Sequence, residues 1–447
     1  MRGVGLFSSN DATVVRDAAH PIADATDYDA IVELAGDAQF VLIGEASHGT
    51  HEFYEIRAAL TRRLIEEKGF RLVALEADWP DMLRVHRYVR GLGQDTSASA
   101  ALGAFTKFPQ WMWRNSVVLE FVEWAREWNS RGGNEKSQVG LYGMDLYSLH
   151  ASIDAVLGYL AKTDPDAAAR ARRRYACFEH FGEDPQTYGY ATAKGVAETC
   201  EQAVIEQLIE LRRKYDQANA HADEREAEEL FFAEQNARLV RNAERYYRSM
   251  FRGRASSWNL RDSHMAETLN ALVTRLDGGS TKVVVWAHNS HLGDARATEM
   301  GERGEHNVGQ LVRERVGDAA FLIGFSTYSG SVTAASDWGE AGERKRVRPG
   351  LGGSYEELFH NVGLPRFWLN LREQNRATEL LKKSRLQRAI GVIYAAATER
   401  WSHYFHARVT EQFDVMIHLD ETTALQPLET TGTVVTGELP DTFPSSL

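Results

Sequence analysis

No run of eighteen apolar residues occurs anywhere in the 447-residue chain, which argues against a membrane-spanning helix. The opening stretch, MRGVGLFSSNDATVV, lacks the uninterrupted apolar segment of a secretion signal, and no Asn-x-Ser/Thr sequon follows it. Cysteine is scarce. Cys177 and Cys200 are the only two, they fit neither Cys-x-x-Cys nor a zinc spacing, and they predict no disulfide framework. The expectation is a cytoplasmic protein in a reducing compartment. Proline is also rare, 10 residues, and with 43% hydrophobic and 26% charged residues this argues against long disordered tracts. Positive charge is in deficit: a net charge of −12 repels nucleic acid and anionic membranes alike. The basic runs Arg170 to Arg174 and Arg344 to Arg348 read as solvated faces or loop edges.

Missing motifs exclude enzyme classes in the same way. Without Gly-x-Ser-x-Gly there is no nucleophile elbow of an ordinary serine hydrolase. Without a P-loop or a Gly-x-Gly-x-x-Gly turn after a strand, a nucleotide phosphate has no cradle. Neither cysteine neighbours a strand-end histidine, so a thiol nucleophile is unsupported.

What is present is a rhythm of short, continuous apolar runs with helical patterns between them. Gln39 to Ile43, Arg71 to Leu75, Gln138 to Tyr142, Lys282 to Trp286, Ala319 to Ile323 and Phe413 to Leu419 read as strands buried on both faces. The fold class expected is α/β, a mostly parallel central sheet flanked by helices. Between the first two runs Phe53, Ile56, Leu60 and Leu64 mark an amphipathic crossover helix, with Thr50 as its cap and Gly69 as its stop. From 151 to 260 helical periodicity replaces strand signals, as in Val196, Val204, Leu208 and Leu211, then Leu230, Leu239, Tyr246 and Met250. This predicts an inserted helical cap over a core made of 1–150 and 261–447. The acidic stretch at 221–229 reads as a solvated turn and a first helical turn. Tyr328 to Gly353, rich in Gly, Ser and charge, reads as a long loop.

Four of these apolar runs exit into chemistry. Ile43 is followed by Gly44-Glu45-Ala46-Ser47-His48-Gly49, Leu75 by Glu76 and Asp78, Tyr142 by Asp145, and Trp286 by His288 and His291. One acid at a strand end has a plain explanation as a helix cap, and Asp78 and Asp145 each admit it. Four such exits on one edge of a sheet point to a shared pocket. Imidazole titrates near neutrality and can take a proton from water, a carboxylate on its other nitrogen fixes the tautomer, and a further histidine or Arg57 can polarise a carbonyl. His48 is the candidate base, Glu45 or Glu76 its orienting acid, and His288 or Arg57 the polarising group. His291 and Asp145 are candidate substrate contacts. His403 and Tyr404 join them if a strand near Gly391 to Ala395 delivers them. Gln110 to Trp113 reads as core or as cleft wall, and Arg261 with Asp262 as a structural ion pair opening a helix rather than a substrate clamp. No cofactor is required by these residues. A divalent metal on the same His/Glu set is the alternative, since His-x-x-H recurs at 48, 288 and 403, but the His-Glu-x-x-His helix is absent.

The segments GEASHGTHEFYEIR, LVALEADW, NLRDSHMAETL and VVVWAHNSHLGDARAT, in this order, resemble the erythromycin esterase-like family from about residue 20 to 430. The resemblance implies a deep cleft roofed by helices and surrounded by Glu45, His48, Arg57, Glu76, His288 and His291, with His48 activating water to open a macrolide lactone without an obligate metal. Some relatives carry a label linked to succinoglycan biosynthesis, so the resemblance does not fix the substrate, and a wider group with a similar Gly-Glu-x-x-His start uses metals or haem, which keeps the metal reading open. The partner expected is a small-molecule ester or lactone. A metal-dependent hydrolase and a non-catalytic small-molecule binder are the competing readings.

Overall fold

A computed structural model describes residues 9–132, 138–181, 185–218, 224–251, 253–276 and 279–429. Its strands are β1 (His20–Pro21), β2 (Phe40–Ile43), β3 (Leu72–Asp78), β4 (Gly140–Asp145), β5 (Val283–Trp286), β6 (Ala320–Ala334), β7 (Glu343–Val347), β8 (Arg366–Asn370), β9 (Arg385–Arg388), β10 (Tyr404–Ala407) and β11 (Val415–Thr422). The six apolar runs all become strands, because Val, Leu, Ile and Phe without intervening charge tolerate cover on both faces. They lie side by side and parallel in the order β11-β6-β2-β5-β3-β4, while β1, β8 and β7 add antiparallel edges. The molecule is thus an α/β protein with a mostly parallel mixed sheet between helical layers.

Register decides where the site sits. Ile43 pairs with Trp286, and Trp286 with Leu75, so β2, β5 and β3 run out level with one another. A register shift follows Leu75, after which Asp78 pairs with Asp145 of β4. The crossover helix His51–Lys68 buries Phe53, Ile56, Leu60 and Leu64 and stops at Gly69, whose φ of +74° is the left-handed backbone that glycine adopts freely. Thr50 occupies its N-cap position without a side-chain cap bond; its hydroxyl pairs with that of Ser47 instead.

Several expectations need correction. Tyr328 to Gly353 is not a loop: β6 continues to Ala334 and β7 returns against it. The apolar period is missing there because buried polar residues take core positions, Thr333 donating to the Leu425 carbonyl at 2.6 Å and Ser331 Oγ accepting from the Ala424 N–H at 3.0 Å. Gly391 to Ala395 is not a strand, and only an isolated bridge from Ile393 to Ala335 forms. Cys177 and Cys200 form a disulfide with Cα atoms 5.9 Å apart, since the helices Pro165–Tyr175 and Glu201–Ala218 fold back on each other, a proximity that sequence spacing does not report. The cysteines therefore no longer argue for a reducing compartment. No helix among the described residues is long and apolar enough to cross a membrane.

Between β4 and β5 the described residues form helices, the longest being Glu224–Met250 and Arg254–Arg275. The second runs across the expected boundary at 260. Val204, Leu208, Leu211, Leu230, Leu239 and Tyr246 are buried among these helices, whereas Val196 is 80% exposed at a turn. Part of the acidic stretch, 221–223, lies outside the described residues.

Candidate active site

The turn after β2 is pressed against its neighbours, and that is what its glycines permit. A Cβ on Gly44 would lie 2.2 Å from Asn289 Oδ1, and one on Gly49 would lie 1.8 Å from the Thr333 carbonyl oxygen. Neither glycine has a left-handed φ, so close approach rather than a special turn is the reason for them. The turn brings His48 Nδ1 to 2.8 Å from Glu45 Oε1. Glu45 Oε2 lies 2.7 Å from Arg57 Nη2, an ion pair whose angles fall short of a hydrogen bond. Arg57 is fully buried, its guanidinium 4.2 Å from the Tyr54 ring centre and 5.1 Å from that of Trp286.

From β5 comes His288, whose ring centre is 4.9 Å from that of His48. Its Nδ1 accepts the Ser290 backbone N–H at 3.2 Å and lies 2.8 Å from Ser290 Oγ. Burial, and then the neighbouring His48, hold this imidazole well below its usual pKa, so the ring is neutral. A neutral ring that accepts at Nδ1 carries its proton on Nε2. The nearby Ala46 carbonyl favours a proton there without forming a well-aligned bond, and Nε2 is left without a hydrogen-bond partner.

From β3 and β4 come Glu76 and Asp145, and both meet Arg261 of the helix Arg254–Arg275. Arg261 Nη2 donates to Glu76 Oε1 and to Asp145 Oδ2, each at 2.7 Å, and Nε donates to Asp145 Oδ1 at 3.0 Å. Glu76 Oε2 accepts the His288 backbone N–H at 2.8 Å. Burial pushes Glu76 upward, but the charges of His291 and Arg261 outweigh it and hold the carboxyl well below the usual range. His291 stands between Asp262 and Glu76; burial lowers it, yet the two carboxylates raise it to about 9.

These groups open on a cleft lined by His48, Glu76, Asp145, Arg261, His288 and His291. Phe105, Phe108, Met112, Trp113 and Trp338 line it as well, together with Asp78, Asp81 and Lys107. Asp78 occupies the N-cap position of the helix Trp79–Arg90 but makes no side-chain cap, and burial pushes both it and Asp81 upward, with Lys107 opposing.

The structure thus brings together His48, Glu45, Glu76, His288, His291 and Asp145. Arg57 it places behind Glu45, away from the cleft lining, so it cannot touch a carbonyl there. His403 and Tyr404 are held elsewhere: His403 Nε2 accepts the Ala395 N–H at 3.1 Å, Tyr404 Oη accepts the Leu351 N–H at 3.2 Å, and neither lines the cleft, because the strand expected to deliver them does not form. Among the described residues none from 151–260 lines it either, whereas the Phe105 to Trp113 segment and Trp338 from the β6–β7 turn do. Arg261 and Asp262 do not open a helix. They lie in its interior, the first pairing with Glu76 and Asp145 and the second with His291. Sequence reasoning undervalued Arg261, since a helical arginine reveals its partners only once the strands are placed. Among the described residues no group of three or more His, Cys, Asp or Glu is disposed to hold a metal ion.

Comparison with known proteins adds an independent finding. Residues 65–422 match the sequence model described as erythromycin esterase, a span that includes Glu76, Asp145, Arg261, His288 and His291 and begins after the Glu45–His48 turn. The YbfO protein of Bacillus subtilis (strain 168) is 22% identical over 414 residues, covering 86% of this chain and 84% of its own. Erythromycin esterase type II of Escherichia coli is 21% identical over 333 residues, covering 70% and 75%. A solved structure described as a succinoglycan biosynthesis protein superposes with a TM-score of 0.74 at 21% identity, over 93% of this chain and 98% of that one.

Proposed function

We propose that this chain, which belongs to the erythromycin esterase family, hydrolyses an ester or lactone bond of a small molecule in the cleft, using water activated at His48. The observation that carries the reading is the Glu45–His48 contact: a carboxylate on Nδ1 fixes the ring's proton there and leaves Nε2 as the base. Water gives its proton to Nε2 as its oxygen bonds to the carbonyl carbon. The oxyanion formed accepts from the His288 Nε2–H, which turns to it from the nearby Ala46 carbonyl. When the carbon–oxygen bond to the alcohol breaks, the imidazolium of His48 returns the proton to the departing oxygen, giving a carboxylic acid and an alcohol. Arg57 serves by balancing the Glu45 charge, and Glu76 by holding the His288 backbone.

The relatives' names supply macrolide and succinoglycan chemistry for those proteins, and neither fixes the substrate here. The test is a panel of esters and lactones given to purified protein and to His48→Ala, with circular dichroism to verify folding. Turnover by the parent and a loss of at least roughly 100-fold in the variant are expected. A folded variant with full activity sinks the proposal. Activity lost to a chelator favours the metal-dependent alternative, and ligand binding with no turnover favours a binding protein.

A further inference from the structure

His291 is buried between two carboxylates from distant parts of the chain. Both oxygens of Asp262 lie 3.0 Å from its Nδ1, and Glu76 Oε1 lies 3.2 Å from its Nε2. The Asp262 hydrogen bonds place a proton on Nδ1, and the Glu76 charge beside Nε2, at ion-pair distance but not aligned as a hydrogen bond, favours a second proton there. Arg261 Nη1, 3.1 Å from Nε2, pulls the other way, because it would donate to an unprotonated nitrogen. Two carboxylates outweigh one guanidinium whose Nε and Nη2 N–H groups are already taken by Glu76 and Asp145. The upward displacement of His291 agrees with this balance. Geometry pins the arrangement from two more sides. Trp258 stacks on the ring at 4.6 Å and 6°, and the Val308 N–H donates to Asp262 Oδ1 at 3.0 Å, so neither ring nor carboxylate is free to swing.

We propose that Asp262 is a positioning residue of the hydrolytic centre: it holds His291 as a fixed imidazolium, which keeps Glu76 a carboxylate and so sets the cleft-facing His288. The last link is the bond from the His288 backbone N–H to Glu76 Oε2, at 2.8 Å. Asp262 does not line the cleft and acts only through these contacts. The inference rests on the hydrolytic reading of the site and adds a role for a residue that this reading leaves idle.

Nitrogen NMR of the full-length protein with ¹⁵N-labelled histidine tests it, the His291 signals being assigned by their loss in His291→Asn. At pH 7.5 both ring nitrogens should show the shifts of an imidazolium, and in Asp262→Asn they should move to those of a neutral ring. A parent protein whose His291 is neutral, with an accepting Nε2, overturns the proposal without any variant. On an ester that the parent hydrolyses, Asp262→Asn should lower kcat roughly 10-fold or more while KM stays within about 2-fold, and should draw the alkaline limb of the pH profile to lower pH. Asp262→Glu should recover part of the loss. An unchanged kcat and pH profile overturns the positioning role even with a charged ring. No turnover by the parent on any ester or lactone sinks the hydrolytic reading and the positioning role together, and the nitrogen shifts then still decide whether Asp262 holds the charge.

Discussion

At the scale of the residue, the site is a set of protons assigned by neighbours, and the assignments have consequences for stability. The folded-state pKa of His291 is raised from 6.5 to about 9. The folded protein therefore binds this proton more tightly than the unfolded chain, and the stabilisation is fully present below pH 6.5 and disappears as pH climbs through about 9. Glu76, depressed by His291 and Arg261 against the pull of burial, behaves oppositely: its contribution is present above the unfolded carboxyl value and is lost as acid titrates the folded group. Urea unfolding at pH 6.5, 8 and 9.5 should show the parent losing stability relative to His291→Asn by at most about 3 kcal/mol across that range. Parallel curves for the two proteins would remove the imidazolium from the account. His48, Glu45, Glu76 and His288 were legible in the sequence because each follows an apolar run that could only be a buried strand. Arg57 was misplaced because helical spacing locates a residue along its helix but cannot say that Glu45 stands between it and the cleft. Arg261 was undervalued for the converse reason, its partners lying 185 and 116 positions away.

At the scale of the element, the turn after β2 is the least replaceable part of the scaffold. The Gly49 carbonyl accepts from the Thr333 and Leu425 N–H groups at 2.9 and 2.8 Å, so this turn is tied both to the far end of β6 and to the chain after β11. Gly49→Ala forces a Cβ to within 1.8 Å of a backbone oxygen that cannot rotate away, and should cost about 3 kcal/mol or more. Gly69→Ala is the control: its φ is +74° but nothing lies within 4 Å of the added carbon, so only the backbone strain of roughly 1 kcal/mol is expected. Equal urea midpoints for the two variants would contradict the close-approach explanation. The β6–β7 hairpin was illegible for the related reason that its Ser and Thr side chains are buried through hydrogen bonds, not apolar contact, and periodicity registers only the latter. The disulfide escaped for want of any local signal. It closes a separation of 23 residues among the inserted helices, and reducing it should lower stability by about 3 kcal/mol, read from urea unfolding with and without reductant.

At the scale of the whole molecule, the question is which part of the chain meets the substrate. The helical insertion was expected to roof the cleft, but among its described residues none lines it, whereas aromatic side chains of the core do. Phe108 and Trp338 meet edge to face with ring centres 4.5 Å apart, joining the segment after the helix Ala98–Leu102 to the turn between β6 and β7. Two segments far apart in sequence thus bring touching apolar side chains to the cleft that the histidines also line, and apolar lining grips the body of a ligand while polar groups address one bond. Trp338→Ala removes the contribution of the β6–β7 turn to that lining without touching His48, Glu45 or His288. On whichever ester the parent hydrolyses, it should raise KM by several-fold to roughly tenfold, the loss of one aromatic contact worth about 1.4 kcal/mol or less, and leave kcat nearly unchanged. Tyr190 offers the comparison, being 56% exposed on the insertion. Tyr190→Ala should alter neither constant. If Tyr190→Ala raised KM while Trp338→Ala did not, substrate selection would belong to the inserted helices after all, and the aromatic lining would be no more than packing between two loops.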